Sequence, residues 1–513
     1  MKIAFRNSKP HQQFGINAFS NIAVYVINLG IGMWFTPFLI KNLGVDSYGL
    51  IPLANSVTTY LIIIPLSLNG AVGRFLTIDL QKDDIEGANQ TFNTSFFGSL
   101  LLTIGSLPFL LGFVYLIPLV FNIPTGTENA AKLLFFFVMF SFLVTTVESC
   151  FSVSSWAKNR FDLRNIVVVF SNLARISIVV VLFKLTQPSV WQVGLGILLA
   201  GLIGLAGDIF IWKQLTPELR ISKSHFNLTK IRELFSMGGW ITTNQIGSLL
   251  FLNIDLIVAN LALGTKIAGE YGTILLFSTL LRSLSGTVSG ILNPIVVAKY
   301  AIKDFPSITR LSKQSVRLMG LAIGLAVGLL CGLGGPFLKL WLGNDFDSLW
   351  LLLILIIFHL PINLAVMPLF GIQQALNKVK IPGILTLVLG IGNLLLALLF
   401  TLVFKWGSFG LAAAGAIVLT LKNVIFTPIY GAHIQKLPWY TYIGAVVPGL
   451  IMTSLVLLLS YGSTVLIQID SWVRLIFTGI IIAMFVIGGL FLFGLKREDK
   501  DLILGFVPSF RRS

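Results

Sequence analysis

The feature that most constrains this chain is a series of fourteen apolar runs, each about as long as a membrane-spanning helix. Crossing a bilayer takes about 20 predominantly apolar residues in a helix. The runs therefore predict an all-α polytopic membrane protein with fourteen transmembrane helices. They lie approximately at residues 14–40, 48–73, 94–120, 133–155, 165–183, 190–212, 236–261, 271–298, 318–338, 349–371, 381–404, 409–431, 440–461 and 472–495.

Composition excludes a soluble enzyme. Only 11% of the 513 residues are charged, against about 25% in an average soluble domain. The net charge of +16 would suggest nucleic acid in a soluble chain. Here the basic residues lie in short loops between apolar runs, where membrane topology and anionic lipid headgroups explain them. We expect membrane lipids as partners and no nucleic acid.

The distribution of basic residues predicts the orientation. With fourteen spans, 26 of the 36 Lys and Arg residues fall in the two termini and the six loops on the same side, and six fall in the seven opposite loops. Cytoplasmic loops carry the excess of Lys and Arg in membrane proteins. A multi-pass protein with both termini in the cytoplasm is therefore expected.

Two lobes are predicted from the longest cytoplasmic loop and from a repeated motif. Leu43-Gly44 and Tyr48-Gly49 follow span 1, and Leu263-Gly264 and Tyr271-Gly272 follow span 7. The predicted parts are an N-terminal lobe at 1–212 (spans 1–6), a linker at 213–235, a C-terminal lobe at 236–431 (spans 7–12), and an appended pair of spans with a basic tail at 432–513. From the linker into the start of span 7, Asn227–Met237 has the pattern of an amphipathic interfacial helix, although an ordinary lead-in to span 7 explains it equally well.

Span 9 carries a ridge of small residues that lets a neighbouring helix approach closely. Its members are spaced by four residues: Gly320, Gly324, Gly328 and Gly332. Prolines within or at the ends of spans are candidate breaks or kinks, and packing bends are their commoner meaning. Cys150 and Cys331 both lie in apolar runs, which argues against a disulfide framework.

Charged residues within the spans are the main functional candidates, because each costs about 2.5 to 3.5 kcal/mol at the bilayer centre. Helix rise places Glu148 in span 4 and Arg175 in span 5 at similar depths, and likewise Asp255 in span 7 and Arg282 in span 8. Two ion pairs are therefore predicted. Each pair either only neutralises itself between packed helices, or provides a cation for an anionic headgroup and an acid for proton or sodium coupling.

Four further charged residues are candidates. Lys422 in span 12 has no acid at equal depth nearby in sequence, which favours substrate binding. His359 in span 10 could titrate near neutral pH, although a hydrogen-bonded structural histidine is the commoner case. Arg74 and Asp208 lie nearer the cytoplasmic ends of spans 2 and 6, where side chains can extend to the interface.

Enzymatic motifs are missing from the sequence. It has no phosphate-binding G-x-x-x-x-G-K-[ST], no H-E-x-x-H zinc motif and no nucleophile elbow. Neither a cofactor, a metal site nor catalytic activity is expected.

The residues at the start of the two lobes resemble those of Wzx-type polysaccharide flippases, in the multidrug/oligosaccharidyl-lipid/polysaccharide exporter superfamily. The resemblance is carried by Leu43-Gly44, Tyr48-Gly49 and the run 68–74 (LNGAVGR), and in span 7 by Asn253-Ile254-Asp255. It implies two six-helix lobes in a V shape plus two appended helices. It also implies alternating access that moves an undecaprenyl-diphosphate-linked glycan across a bacterial cytoplasmic membrane, with polysaccharide polymerase or assembly proteins as partners.

Under this resemblance the embedded charges acquire expected roles. The cations Arg175, Arg282, Lys422 and Arg74 would bind the diphosphate headgroup. H⁺ or Na⁺ coupling would involve Glu148, Asp255, Asp208 and His359. Lipid II flippases resemble the chain less, because their first span typically carries arginines, whereas residues 14–40 contain no charged residue here.

Three alternatives remain open at the level of sequence. A multidrug or small-molecule exporter of the same superfamily would share the lobes, but such exporters usually have twelve spans. The appended pair of spans and the embedded arginines argue against a cationic drug as the substrate. A polytopic glycan polymerase or ligase commonly has a large outward loop, which this sequence lacks. A scaffold for glycan assembly would have little use for embedded charges.

Overall fold

The computed structural model describes residues 10–61, 72–73, 75–80, 82–227, 245–495 and 499–500, and its regular elements are helices. The helices are α1 (Pro10–Leu43), α2 (Val45–Leu61), α3 (Ile85–Val120), α4 (Glu128–Ala157), α5 (Phe161–Leu185), α6 (Val190–Leu215), α7 (Gln245–Leu252), α8 (Ile254–Leu263), α9 (Thr265–Ala301), α10 (Phe305–Gly332), α11 (Gly334–Leu342), α12 (Phe346–Ala375), α13 (Lys380–Val403), α14 (Gly407–Ile434), α15 (Trp439–Leu466) and α16 (Trp472–Leu492).

Long apolar helices confirm the polytopic membrane fold. Within the described ranges, eleven helices are long and apolar enough to cross a bilayer, or twelve if α7 and α8 form one bent span. Helices α2 and α9 lie where the second and eighth spans are predicted, but they are outside that set of twelve. The count of fourteen therefore stays a prediction.

The chain divides into two compact units. Unit 1 comprises residues 1–273 and 383–403, and unit 2 comprises residues 274–382 and 404–513. Helix α13 thus belongs mainly with α1 to α8, although it follows α12 in sequence. The lobe boundaries predicted from the sequence stay a prediction, as does the V shape. The predicted amphipathic helix at Asn227–Met237 lies almost entirely outside the described residues.

In unit 1, asparagine side chains join α1 to α5 at two levels that are about two helical turns apart. Asn172 donates to Asn28 at 3.0 Å, and Asn165 donates to Asn21 at 2.7 Å. Closer to the start of both helices, Asn17 donates to the carbonyl oxygen of Asn159 at 3.0 Å. Such amide contacts hold membrane helices together where the hydrophobic effect does not.

The two copies of the repeated motif have the same local structure in unit 1. Gly44 and Gly264 each end a helix with positive φ, +76° and +91°, which a residue with a Cβ rarely adopts. The helices that follow them approach closely, because a Cβ atom at Gly269 would lie 2.5 Å from the carbonyl oxygen of Val45. These matching turns support a duplicated origin for the two motifs.

In unit 2, the glycine ridge packs against α15, as the sequence predicts for a neighbouring helix. A Cβ atom at Gly324 would lie 2.7 Å from the carbonyl oxygen of Gly449, and one at Gly328 would lie 2.6 Å from the Cβ of Val456. The backbones of α10 and α15 are therefore in contact along this face. Helix α15 corresponds to the first of the two appended spans, so the ridge anchors that pair to unit 2.

Helix α10 begins with a capping interaction outside the membrane span. The Asp304 carboxylate accepts a hydrogen bond from the backbone N–H of Ser307 at 3.2 Å. The hydrogen bonds from Ser307 hold the pKa of Asp304 below its ordinary value. A capping aspartate satisfies an otherwise unpaired N–H at the helix start and favours the positive end of the helix dipole.

Candidate functional site

Unit 2 holds two predicted cations near each other. Arg282 on α9 and Lys422 on α14 interact electrostatically as like charges. The Nε of Arg282 donates to Ser278 at 3.1 Å, and the Nζ of Lys422 lies 5.6 Å from the centre of the Phe370 ring on α12. Electrostatic interactions are strong in an apolar setting, so an anion placed beside these two cations would be attracted by both of them.

A helical irregularity determines the position of Lys422. Residues Leu421–Phe426 form a π-helical stretch in α14, and the hydroxyl of Thr427 donates to the carbonyl oxygen of Lys422 at 3.0 Å. Pro428 follows at the start of the next α-helical segment and has no N–H to donate. Stretches of π-helix shift side chains around the helix axis and are frequent at functional sites.

Next to Lys422, an amide network joins α12 to α14. The Nδ2 of Asn363 donates to the hydroxyl of Thr420 at 3.1 Å and lies 2.9 Å from the Nδ1 of His359. The Nδ2 of Asn423 donates to the carbonyl oxygen of Asn363 at 3.1 Å. His359 is therefore hydrogen-bonded, which agrees with the interpretation of His359 as a structural histidine. It also interacts electrostatically with Arg282.

Irregular backbone in α12 also contributes to the site. Pro361 and Pro368 lie in the first turns of two α-helical segments of α12, Leu360–Ala365 and Met367–Ala375. His359 immediately precedes the first of these segments. Two predicted proline breaks thus coincide with the network. Together, the cations and amides of unit 2 form a polar site able to bind an anionic, hydroxyl-rich molecule.

Unit 1 holds a separate cluster of charged residues on α4, α5 and α6. The Nε of Arg164 lies 3.9 Å from the Oδ2 of Asp208, which is 1% exposed. The carboxyl groups of Glu148 and Asp208 interact with each other and with Arg164. Gly204 leaves room for Glu148, since a Cβ atom there would lie 3.0 Å from its Oε1.

The predicted ion pair between Glu148 and Arg175 is wrong. Glu148 lies nine residues before the end of α4, whereas Arg175 lies fourteen residues into α5, because α5 begins at Phe161 rather than near residue 165. Arg164, nearer the start of α5, has the pairing role instead. The Nε of Arg175 is buried and has no hydrogen-bond partner in the described part of the chain.

Asp255 lies at a break between two helices of unit 1. Helices α7 and α8 meet at Asn253 with a 41° bend, and Asp255 is in the first turn of α8. Its Oδ2 accepts a hydrogen bond from the hydroxyl of Tyr271 at 2.9 Å. A buried acid at a broken helix is a setting in which transporters bind cations. The predicted pairing of Asp255 with Arg282 stays a prediction.

Arg74 lies outside the described residues. Arg164 was missed because terminal cations were expected to extend to the interface, and Asn423 was missed because the π-helical stretch is not visible in the sequence. The clue for Arg164 was its nearness to Asp208 at the same predicted membrane side.

Comparison with known sequences identifies relatives along almost the whole chain. The profile of the family described as "Polysaccharide biosynthesis protein" matches residues 14–300. The uncharacterized membrane protein EpsK of Bacillus subtilis (strain 168) is 32% identical over 492 residues, covering 96% of this chain and 97% of the relative. A putative O-antigen transporter of Shigella flexneri is 26% identical, covering 81% of this chain and 97% of the relative.

Solved structures share the fold at low identity. The lipid II flippase MurJ in an inward closed conformation has a TM-score of 0.66 and 16% identity, covering 95% of this chain and 99% of that chain. An inward-facing multidrug resistance MATE family transporter of the MOP superfamily has a TM-score of 0.65 and 12% identity, covering 87% and 99%. These similarities establish a MurJ- and MATE-like fold.

Proposed function

Because the chain belongs to the polysaccharide biosynthesis protein family, with Wzx-type flippases, we propose that it moves an undecaprenyl-diphosphate-linked glycan across the membrane. Its membrane is the bacterial cytoplasmic membrane, and the glycan passes from the cytoplasmic to the outer leaflet by alternating access. Both termini are cytoplasmic, since the excess of basic residues is on their side. The product is used by polysaccharide polymerase or assembly proteins.

The observation that carries the proposal is the pair of like charges in unit 2. Arg282 and Lys422 interact electrostatically within unit 2, and a diphosphate beside them would be attracted by both cations. Asparagines beside them, Asn363 and Asn423, offer amide groups that suit sugar hydroxyls. Arg175 and Arg74 are further headgroup contacts in the proposal.

Cation coupling is assigned to the embedded acids. Glu148 and Asp208 are two acidic groups that face the single guanidinium of Arg164. A proton or Na⁺ would balance this cluster, and Asp255 at the break before α8 is a second acceptor. His359 is assigned to the same coupling through its electrostatic interaction with Arg282. Cation binding from outside and release inside would then drive the change between the two access states.

A multidrug exporter is the second candidate, favoured by the fold shared with the MATE transporter. Cationic drugs are typical cargo for that class in the resemblance described above. Such cargo would be repelled by Arg282 and Lys422, which are close to each other in unit 2. The charge of the site therefore favours the anionic lipid-linked substrate. A polymerase or ligase would additionally require catalytic groups that the proposal does not need.

The headgroup assignment is tested with Arg282→Gln and Lys422→Gln in cells whose own copy of the protein is depleted. Each variant should lower export of the lipid-linked glycan about tenfold or more, because a charged hydrogen bond contributes about 1.5 to 3 kcal/mol. Lys339→Gln on α11 is the matched control, as it removes an exposed cation from the same unit.

Membrane abundance of each variant is measured beside export, which separates lost function from lost protein. An Arg282→Gln variant that is present at the normal level and exports normally would contradict the assignment of the headgroup to this pair. Loss of export in Lys339→Gln as well would show that any charge change in unit 2 is harmful.

A further inference from the structure

A cavity in unit 2 lies apart from the embedded cations. It has a volume of about 750 Å³ and is bounded by α10, α15 and the end of α16. The start of α10, the start of α15 and the end of α16 meet around it, so it lies near one end of these spans. None of the residues assigned above to substrate or ion binding lines it.

One end of the cavity is basic. Arg310, Lys313 and Arg317 line it from α10. Residues three, four and seven positions apart lie on the same side of a helix, so these three cations face the cavity together. Tyr440 and Thr441, at the start of α15, add two hydroxyl groups to the same lining.

Two of these positive charges are left for a ligand. Asp499, which is fully buried, forms an ion pair with Arg317. Arg310 and Lys313 are exposed side chains that form no ion pair with the residues the structure describes. Counting the described residues alone, the basic end keeps a net charge of about two, which favours an anion.

The deeper wall of the cavity is apolar. Leu321 lies eleven residues beyond Arg310, about 16 Å along α10 at the rise of an α-helix. Opposite it are Ile451, Met452 and Leu455 of α15, with Leu490 of α16. A soluble phosphate compound would gain nothing from these side chains, whereas an acyl chain would.

We propose that this cavity binds an anionic membrane phospholipid. Its phosphate contacts Arg310 and Lys313, and one acyl chain lies against α15 towards Leu455. Basic pockets between transmembrane helices on the cytoplasmic side bind anionic lipid headgroups by the same combination of charge and apolar surface. The site is separate from the transport site and binds a lipid that is not transported.

The charge contacts are tested on the purified full-length protein in detergent by native mass spectrometry. Phosphatidylglycerol should be retained in preference to phosphatidylcholine. The double variant Arg310→Gln/Lys313→Gln should bind phosphatidylglycerol roughly 30-fold more weakly, because each basic residue near a headgroup contributes about 1 kcal/mol. The matched control Lys378→Gln/Lys380→Gln removes two exposed cations from outside the cavity and should bind it normally.

A second pair of variants tests the cavity itself without changing charge. Gly444 lines the cavity and has no atom within 4 Å of where its Cβ would be, so Gly444→Leu should fill the space and displace the lipid. Gly462→Leu is the matched control, since Gly462 is equally open on α15 but does not line the cavity. Thermal unfolding of the variants shows that each is folded.

Three results would overturn the proposal. The first is equal retention of phosphatidylglycerol by the wild type and the double basic variant. The second is equal retention by Gly444→Leu and Gly462→Leu. In the third, glycerol 3-phosphate binds as tightly as phosphatidylglycerol, which would mean that a soluble phosphate group, and not a lipid, occupies the cavity.

Discussion

At the scale of single residues, the cost of burying a charge decides which side chains come together. Asp208 is 1% exposed, although it lies near the end of α6, where a longer side chain would extend to water. It is compensated by Arg164, whose side chain is 38% exposed and connects the cluster to the surface. Glu148 is a second acidic group in the cluster, and Arg164 alone does not balance both acids. A proton or another cation bound beside Glu148 would balance the second one.

Glu148→Gln tests this excess charge. The substitution keeps the shape of the side chain and removes one negative charge, so the cluster becomes neutral without a bound cation. Transport should then lose most of its dependence on the proton or sodium gradient. The measurement is export rate with and without an ionophore that collapses each gradient. Glu86→Gln, in a side chain that is 69% exposed, is the control and should keep the dependence.

Unchanged gradient dependence in Glu148→Gln would remove Glu148 from the coupling role. If Glu148→Gln no longer exports under any gradient, export by Asp208→Asn is measured next. That variant alters an acid of the same cluster that lies on α6. If both variants lost export equally at normal abundance, the cluster would be essential for the transport step itself rather than specifically for coupling.

Sequence alone predicted which residues carry embedded charge, but not which of them meet. The count from helix ends assumed that α5 begins near residue 165, and the true start at Phe161 moved Arg175 by about one turn. Helix boundaries depend on local turns, here around Asn159 with its positive φ of 53°. The sequence placed Arg164 and Asp208 at the same membrane side, but their pairing could be identified only once those boundaries were known.

At the scale of elements, close backbone packing explains how α15 is attached to unit 2. The glycines of α10 leave no room for side chains where they face Gly449, Thr453 and Val456. This packing replaces the hydrophobic effect, which gives no net attraction between helices already surrounded by lipid.

Gly324→Leu should therefore destabilise the protein. The new side chain would begin 2.7 Å from the carbonyl oxygen of Gly449, so the helices must separate. Overpacking of this kind typically costs about 1 to 3 kcal/mol. The expected result is a lower Tm in detergent than for Gly462→Leu, which adds the same side chain to α15 at an open position. Equal Tm values for the two variants would contradict close packing along the ridge.

The sequence predicted helices well where apolar residues recur regularly, and it predicted irregular segments within helices poorly. The glycine spacing of four identified the ridge in span 9, but gave no information about its partner helix. Prolines marked the breaks in α12, whereas no sequence pattern marked the π-helical stretch around Lys422, whose carbonyl oxygen accepts a hydrogen bond from Thr427.

At the scale of the whole molecule, the sequence determined the class of protein and the structure grouped its helices. Apolar run length and the basic loops predicted a polytopic membrane protein, since both follow from the properties of the bilayer. The assignment of residues 383–403 to unit 1 could not be predicted, because it depends on contacts such as Asn393 with the carbonyl oxygen of Leu250 at 3.2 Å.

The central claim is that this chain moves a lipid-linked glycan between leaflets. The most direct test is mass spectrometry of lipid-linked glycans in cells depleted of the protein, with an impermeant reagent that modifies only the outer leaflet. The account predicts that one diphosphate-linked glycan accumulates unmodified on the cytoplasmic side. An unchanged pool with an unchanged distribution between leaflets would contradict it and favour export of a small molecule.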